Sequence, residues 1–354
     1  MIPTIGKAVN IAGKHSMLRI YGLSIVVTVI CMVLGYMWGG WTGLYLVAVL
    51  SILEVSLSFD NAVVNATVLR DMSRLWQQLF LTVGILIAVF GMRLLFPLVI
   101  VAVVGEISVP MAADMALNDP VRYAELLTAS HIQIAAFGGS FLLLVFLSYF
   151  MDDEKETHWF RSLERILGGM GKLESITIII ALLAVLGLQA VVPEAERLSA
   201  LLSGLAGIIL YAFVNSLDAA FQIDEDSISA TDVAKRSGVI GFLYLELLDA
   251  SFSFDGVIGA FAITKDVIII MLGLAVGAMF VRSMTVHLVR RGTLDEYVYL
   301  EHGAHYAIGT LAFIMLASAV MHIPEWFTGL IGVTFIALSM LSSIAHKKRE
   351  AKSA

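Results

Sequence analysis

The chain has 354 residues, of which 59% are hydrophobic and 14% charged, with a mean hydropathy of +0.91 and a net charge of −7. A soluble domain is roughly 25% charged, so this chain has too few charges to cover a water-facing surface. Its acidic balance argues against nucleic-acid binding, and a single cysteine, Cys31, excludes an internal disulfide. The composition is that of an all-α polytopic membrane protein.

About 20 mostly apolar residues are needed to cross a bilayer core of about 30 Å. Ten runs qualify: 18–38, 42–68, 79–103, 131–150, 175–192, 199–221, 238–263, 266–286, 304–322 and 326–345. They are continuous rather than alternating, which predicts a bundle of about ten transmembrane helices and not a barrel. Residues 1–20 are basic and amphipathic, with no small-x-small cleavage site after the apolar run that follows. They read as an interfacial segment leading into a signal anchor. The run 175–192 is the shortest and is expected to be tilted or half-buried. The outer loop 104–130, with Pro110 and Pro120, has room for a short helix. The inner loop 151–174 opens on the acidic stretch Asp152 to Glu156, and Asp224-Glu225-Asp226 is a second acidic inner stretch, read as a solvated loop. With both ends inside, 17 of the 22 Lys and Arg residues fall on the inner side. That bias predicts an integral protein of the bacterial inner (plasma) membrane with both termini cytoplasmic. The organisation is then an N-terminal segment with the first membrane helix (1–40), a first repeat (41–150), a cytoplasmic loop with linking helices (151–237), a second, inverted repeat (238–345) and a basic tail (346–354).

The repeat rests on two similar segments inside apolar runs. Leu53-Glu54-Val55-Ser56-Leu57-Ser58-Phe59-Asp60-Asn61 aligns with Leu248-Asp249-Ala250-Ser251-Phe252-Ser253-Phe254-Asp255-Gly256. Glu246 lies a turn before Asp249. Each segment is followed by a helix with one embedded arginine, Arg93 or Arg282. Each of those is followed by a helix entered from a histidine, with His131 leading to Gly138 and His302 to Gly309 at equal spacing. Five spans separate the copies, so they run in opposite directions through the bilayer, an arrangement that transporters use to build a midplane polar site.

A charge in the membrane core costs at least about 2.5–3.5 kcal/mol. Glu54, Asp60, Glu246, Asp249 and Asp255 must therefore be protonated, paired with Arg93 and Arg282, or hold a cation. Asp218 is a sixth acid that either joins them or caps a helix. On an ideal helix Glu54, Ser58, Asn61 and Asn65 share one face. Asp60 and Asp255 lie about 120° off that face and its counterpart, so a kink near Asp60-Asn61 and another near Asp255-Gly256 is expected to swing them inward. The oxygen-rich set without cysteine suits Mg²⁺, Ca²⁺ or Mn²⁺. Arg93 and Arg282 are expected to neutralise acids or to snorkel toward a headgroup; His287, His305, His322 and His346 are expected at the interfaces, and His131 and His302, at span ends, either hydrogen-bond there or act as ligands.

These motifs resemble the TerC-like family of integral membrane proteins, within the LysE-type transporter group. The acidic helix Leu53 to Asn61 carries the resemblance, together with Asp249 to Asp255 followed by Gly256 where the family has Ser. Glu301-His302-Gly303-Ala304-His305-Tyr306 is similar to a larger, uncharacterised subgroup. The resemblance implies a divalent-metal exporter, with Mn²⁺ as the first substrate and Ca²⁺ as the second, and an association with tellurium resistance and metal-stress complexes. Glu54, Asp60, Asn61, Asp249 and Asp255 are the metal-contacting positions it implies, and Glu246 joins them as the additional buried acid. The expectation is a transporter and not an enzyme, with proton exchange as the coupling. It has no organic cofactor, lipid and divalent ions as partners, and a homo-oligomer or stress-protein complex as its assembly. Two alternatives stand beside it. One is a non-transporting anchor of a stress complex that uses the acidic inner loops. The other is an intramembrane aspartyl protease with a two-Asp dyad, against which the absence of Gly-x-Gly-Asp around Asp255 weighs.

Overall fold

A glycine pair sets the first feature of the architecture. In the computed structural model, which describes residues 5–152, 155, 157–171, 175–222, 230–321 and 323–353, helix α1 (Ile5–Leu57) is interrupted at Gly39 and Gly40. Gly40 has φ 60°, ψ −146°, a conformation that only glycine adopts freely. The chain reverses there. A Cβ on Gly35 would lie 2.7 Å from Val47, and one on Gly43 would meet the Gly35 carbonyl. The two arms therefore touch backbone to backbone, as small residues allow between membrane helices. This is the expected division between the runs 18–38 and 42–68.

The second arm stops at Leu57, and α2 (Phe59–Asp71) continues after a break at Ser58. Next, α3 (Arg74–Leu86), a π-helical stretch (Ile87–Leu95) and α4 (Phe96–Val104) form one rod. Pro97 lacks an N–H and disfavours the ordinary bond to the carbonyl of Arg93. The outer loop holds two short helices, α5 (Val109–Asn118) and α6 (Pro120–Ala129), each with proline at its start. Ser108 caps α5 and Asp119 caps α6 through their side-chain oxygens.

Helix α7 (His131–Phe150) leads to α8 (Arg161–Gly171) and α9 (Ile176–Leu188). The expected span 175–192 is corrected here. At 13 residues α9 is about 20 Å long, too short to cross alone, and it is bent by 102° from α8. The remaining helices are α10 (Arg197–Gln222), α11 (Ala230–Ile263), α12 (Val267–Arg291), the single turn α13 (Thr293–Glu296), α14 (Leu300–Ser318) and α15 (Glu325–Ser353). Asp266 caps α12 by accepting from the N–H groups of Ile268 and Ile269, and its other oxygen accepts from the indole of Trp38. That bond ties the start of α12 to the α1 turn.

Among the described residues there are no strands, and six helices are long and apolar enough to cross a membrane, seven if the bent pair α8–α9 is one span. The protein is an all-α polytopic membrane protein. The count is lower than the ten expected for physical reasons. Runs 18–38 and 42–68 are joined through the glycine turn, α9 is short, and α11 and α14 carry ionisable residues along the interior of the bundle. The surface is inverted relative to a soluble fold. Met37 and Trp41 are both 76% exposed, and Leu23, Val29 and Leu183 are exposed as well, whereas Glu54, Asn61 and Asn65 are each 1% exposed. Helices α7 and α14, the two entered from histidines, cross antiparallel on their glycines. Gly138 faces Met315, and Gly309 faces Phe146.

Candidate functional site

The two acidic segments meet. Asn61 Nδ2 donates to Asp249 Oδ1 at 3.0 Å, and a Cβ on Gly256 would lie 2.5 Å from Glu54 Oε2. In the repeat alignment Glu54 corresponds to Asp249, and Asn61 to Gly256. Each copy therefore places its acid against the seventh residue of the other, with the segments antiparallel. Such reciprocal contacts are what two inverted copies would make across a two-fold.

The guanidiniums close the ring around them. Arg93 makes a short ion pair with Glu54, and its other nitrogen lies 3.7 Å from Asp249 Oδ2. Arg282 pairs with Glu246 at 3.1 Å and lies 3.6 Å from the same Asp249 oxygen. Each arginine also donates to a backbone carbonyl: Arg93 to Ala88 at 2.7 Å, inside the widened π turn, and Arg282 to Phe80 at 2.8 Å, with its guanidinium over the Phe80 ring. Ser58 donates to Glu54. Three buried carboxylates thus share two guanidiniums, and Asp249 stands between both. Pairing at this depth answers the cost of a lone charge.

Glycines make the approach possible. Glu54 is held between Gly256 on α11 and Gly277 on α12, where a Cβ would collide with its methylenes. Gly84 on α3 plays that part for the second copy, since a Cβ there would be 2.6 Å from Glu246 Oε1 and would strike Arg282. The spacing Gly273-x-x-x-Gly277 was a readable signal for close helix contact.

Several buried polar atoms have no hydrogen-bond partner. They are Asn61 Oδ1, Asn65 Oδ1, Asp249 Oδ2 and Ser253 Oγ on α2 and α11, and the Nε atoms of Arg93 and Arg282. The cluster therefore has unmet acceptors at its centre. Among the described residues no three of His, Cys, Asp and Glu stand as a ready metal-ligand set.

The expected residues divide. Glu54, Asn61, Glu246 and Asp249 are brought together. Asp60 is not: the helix breaks at Ser58, short of the expected kink, and the Asp60 carboxylate lies against Gly332 of α15, accepting from the Asn61 N–H. It is buried, and among the described residues it has no cationic partner. The second expected kink is absent, since α11 runs helical through Asp255 and Gly256. The side chains of Asp255 and Asp218 lie outside the described residues, as do residues 153, 154, 156, 224–226 and 322.

A second polar cluster was not expected from the sequence. Glu164 of α8 is 2% exposed and accepts from the Trp159 and Phe160 N–H groups and from Tyr306 Oη at 3.0 Å. Lys155 lies 3.8 Å from Glu164 and over the Tyr149 ring at 3.7 Å. Burial pushes the Lys155 ammonium down to about 8, against the opposing pull of Glu164, Glu301 and Asp152. His302, expected at a span end, is buried here between Thr157 O and Tyr149 Oη.

The chain belongs to the family described as a protein of unknown function (DUF475), whose model matches residues 59–350. The match begins after Glu54 and includes Asn61, Glu246, Asp249 and both arginines. The chain is also similar to the uncharacterized membrane protein YceF of Bacillus subtilis (strain 168), at 25% identity over 45% of this chain and 74% of that protein. No solved structure matches the chain.

Proposed function

We propose that this protein is a secondary transporter that exports a hard divalent cation, Mn²⁺ before Ca²⁺, through the Glu54–Asp249 cluster. The observation that carries the reading is the excess of buried oxygen acceptors where the antiparallel copies meet. Three carboxylates face two guanidiniums, and Asn61 Oδ1, Asn65 Oδ1 and Asp249 Oδ2 accept no hydrogen bond. Hard divalent cations are bound by such oxygen sets. In this reading the arginines are tethered cations that occupy the carboxylates when cargo is absent. Ala88 O and Phe80 O hold each guanidinium at its base while its carboxylate side is vacated. Asp60, buried and without a guanidinium, carries the exchanged proton. The TerC-like resemblance supports the same substrate class. The basic-residue bias supports a bacterial inner-membrane setting with cytoplasmic termini.

Proteoliposomes loaded with a Mn²⁺-sensitive dye test this. Flux under a pH gradient is expected from the parent protein and from neither Asp249→Asn nor Glu54→Gln. Asp60→Asn is expected to retain Mn²⁺ binding but lose acceleration by the gradient. Absence of divalent flux from folded parent protein under gradients of either sign would sink the reading. The arginine pairing favours a second reading, a non-transporting anchor whose ion pairs only fix helix packing. In that case Glu54→Gln with Arg93→Gln would preserve every cellular phenotype.

A further inference from the structure

Away from the acidic cluster, a cavity of about 360 Å³ opens at the end of the bundle where α3 begins and α12 ends. Arg74, Gln77 and Gln78 line one side and Arg290 the other, over a floor that includes Leu69 and Val286. Both arginines are exposed at the cavity mouth, and among the described residues neither is paired with a carboxylate. The basic groups between α7 and α8 differ in this respect, because Lys155 and His158 face Glu164. Gln77 spends its amide on the carbonyls of Leu69 and Met72, which fixes the wall and orders the turn between α2 and α3. Gln78 is exposed and its amide is free to donate.

We propose that this cavity binds a phosphate-bearing anion, with the two guanidiniums on the phosphate oxygens and the apolar floor under a glycerol backbone. Two arginines without acids, set in a concave site with a greasy base, match the chemistry of an anionic phospholipid headgroup at a membrane surface. The volume exceeds what a bare phosphate needs. The site also has mechanical reach. Val286 is one turn beyond Arg282, and Phe80, whose carbonyl accepts from Arg282, is two residues after Gln78 on α3. Leu69, Phe80, Leu245 and Val286 form the small apolar core between the cavity and the Arg282–Glu246 pair. An anion bridging Arg74 and Arg290 therefore clamps the same two helices that hold that pair. The inference does not depend on the transport reading.

The test uses full-length protein in nanodiscs. Binding of fluorescent phosphatidylglycerol is measured for the parent, for R74Q/R290Q and for the control R161Q/R165Q, which removes two charges from α8. Apparent affinity is expected to fall about tenfold or more in R74Q/R290Q, to stay unchanged in the control, and to recover in part in R74K/R290K. Inorganic phosphate and glycerol phosphate as competitors separate the sources. Displacement by millimolar phosphate alone assigns the cavity to a soluble anion, whereas resistance to it assigns the cavity to lipid. Equal loss in R74Q/R290Q and the control, or no preference for phosphatidylglycerol over phosphatidylcholine, overturns the proposal. Circular dichroism on each variant distinguishes loss of binding from loss of fold.

Discussion

The two halves of the acidic cluster solve one problem with complementary parts. Around Glu54 the acid is long and the facing residue is glycine. Around Asp249 the acid is one methylene shorter and the facing residue is asparagine, whose amide fills the gap and donates across it. Glu54 has its own arginine and Ser58, while Asp249 shares both arginines and borders Glu246. The first half is interrupted at Ser58, and the second runs straight. The two similar segments thus make matching contacts with different sizes, the longer acid facing the smaller residue and the shorter acid the larger.

The sharpest way to break this comparison is to remove a guanidinium. Arg93→Gln leaves Glu54 with Ser58 alone and is expected to cost about 3–5 kcal/mol, as for other buried charges stripped of a partner. Arg282→Gln is expected to cost less at Asp249, which keeps Arg93 and Asn61, and to fall mainly on Glu246. Glu54→Gln combined with Arg93→Gln should recover most of the loss. Thermal unfolding in detergent, followed by tryptophan fluorescence, measures all three, and an Arg93→Gln variant as stable as the double variant would contradict the pairing.

Exchanging the size match is a gentler test. Gly256→Asn alone drives a side chain into the Glu54 carboxylate, an overpacking worth about 1–3 kcal/mol. Adding Glu54→Asp rebuilds the Asp–Asn pair of the other half and is expected to return more than half of that loss. Strict additivity of the two substitutions would show that the residues do not touch.

The smallest effect contrasts the acidic cluster with the Lys155–Glu164 cluster. Below about pH 8 the Lys155 ammonium is charged in folded and unfolded chains alike, and burial penalises the folded state by a constant amount. From about 8 to 10.5 the unfolded chain keeps a proton that the folded chain has released, so stability rises with pH and then levels off. Lys155→Met should lack that rise. The difference is expected to be on the order of 1 kcal/mol or less, visible as diverging unfolding midpoints across the window.

Much of this was legible in the residues, for reasons that also mark the limit. The apolar runs placed most of the helices, and Pro110 and Pro120 pointed to helical structure in the outer loop, where two short helices stand instead of one. The paired motifs gave the acids, and the single embedded arginines gave their partners. Asp60 was expected to swing inward at a kink near Asp60-Asn61, but the break falls at Ser58, and nothing in the local composition fixes which residue carries it. Glu164 and Lys155 escaped notice because their burial depends on aromatic rings from α7 and α14, more than a hundred residues away for Tyr306. Gly84 and Gly277 are visible as glycines, but their purpose appears only with the side chain that crosses them.

The widened stretch at Ile87–Leu95 has one more consequence. Each wide turn takes up an additional residue, so the part of the rod after it is rotated by roughly 100° relative to a regular helix of the same sequence. Arg93 lies within the stretch, near its end, and so carries part of that rotation. Deleting one residue from the stretch would let the coil tighten and would turn the guanidinium toward lipid, with no change in the composition of the span.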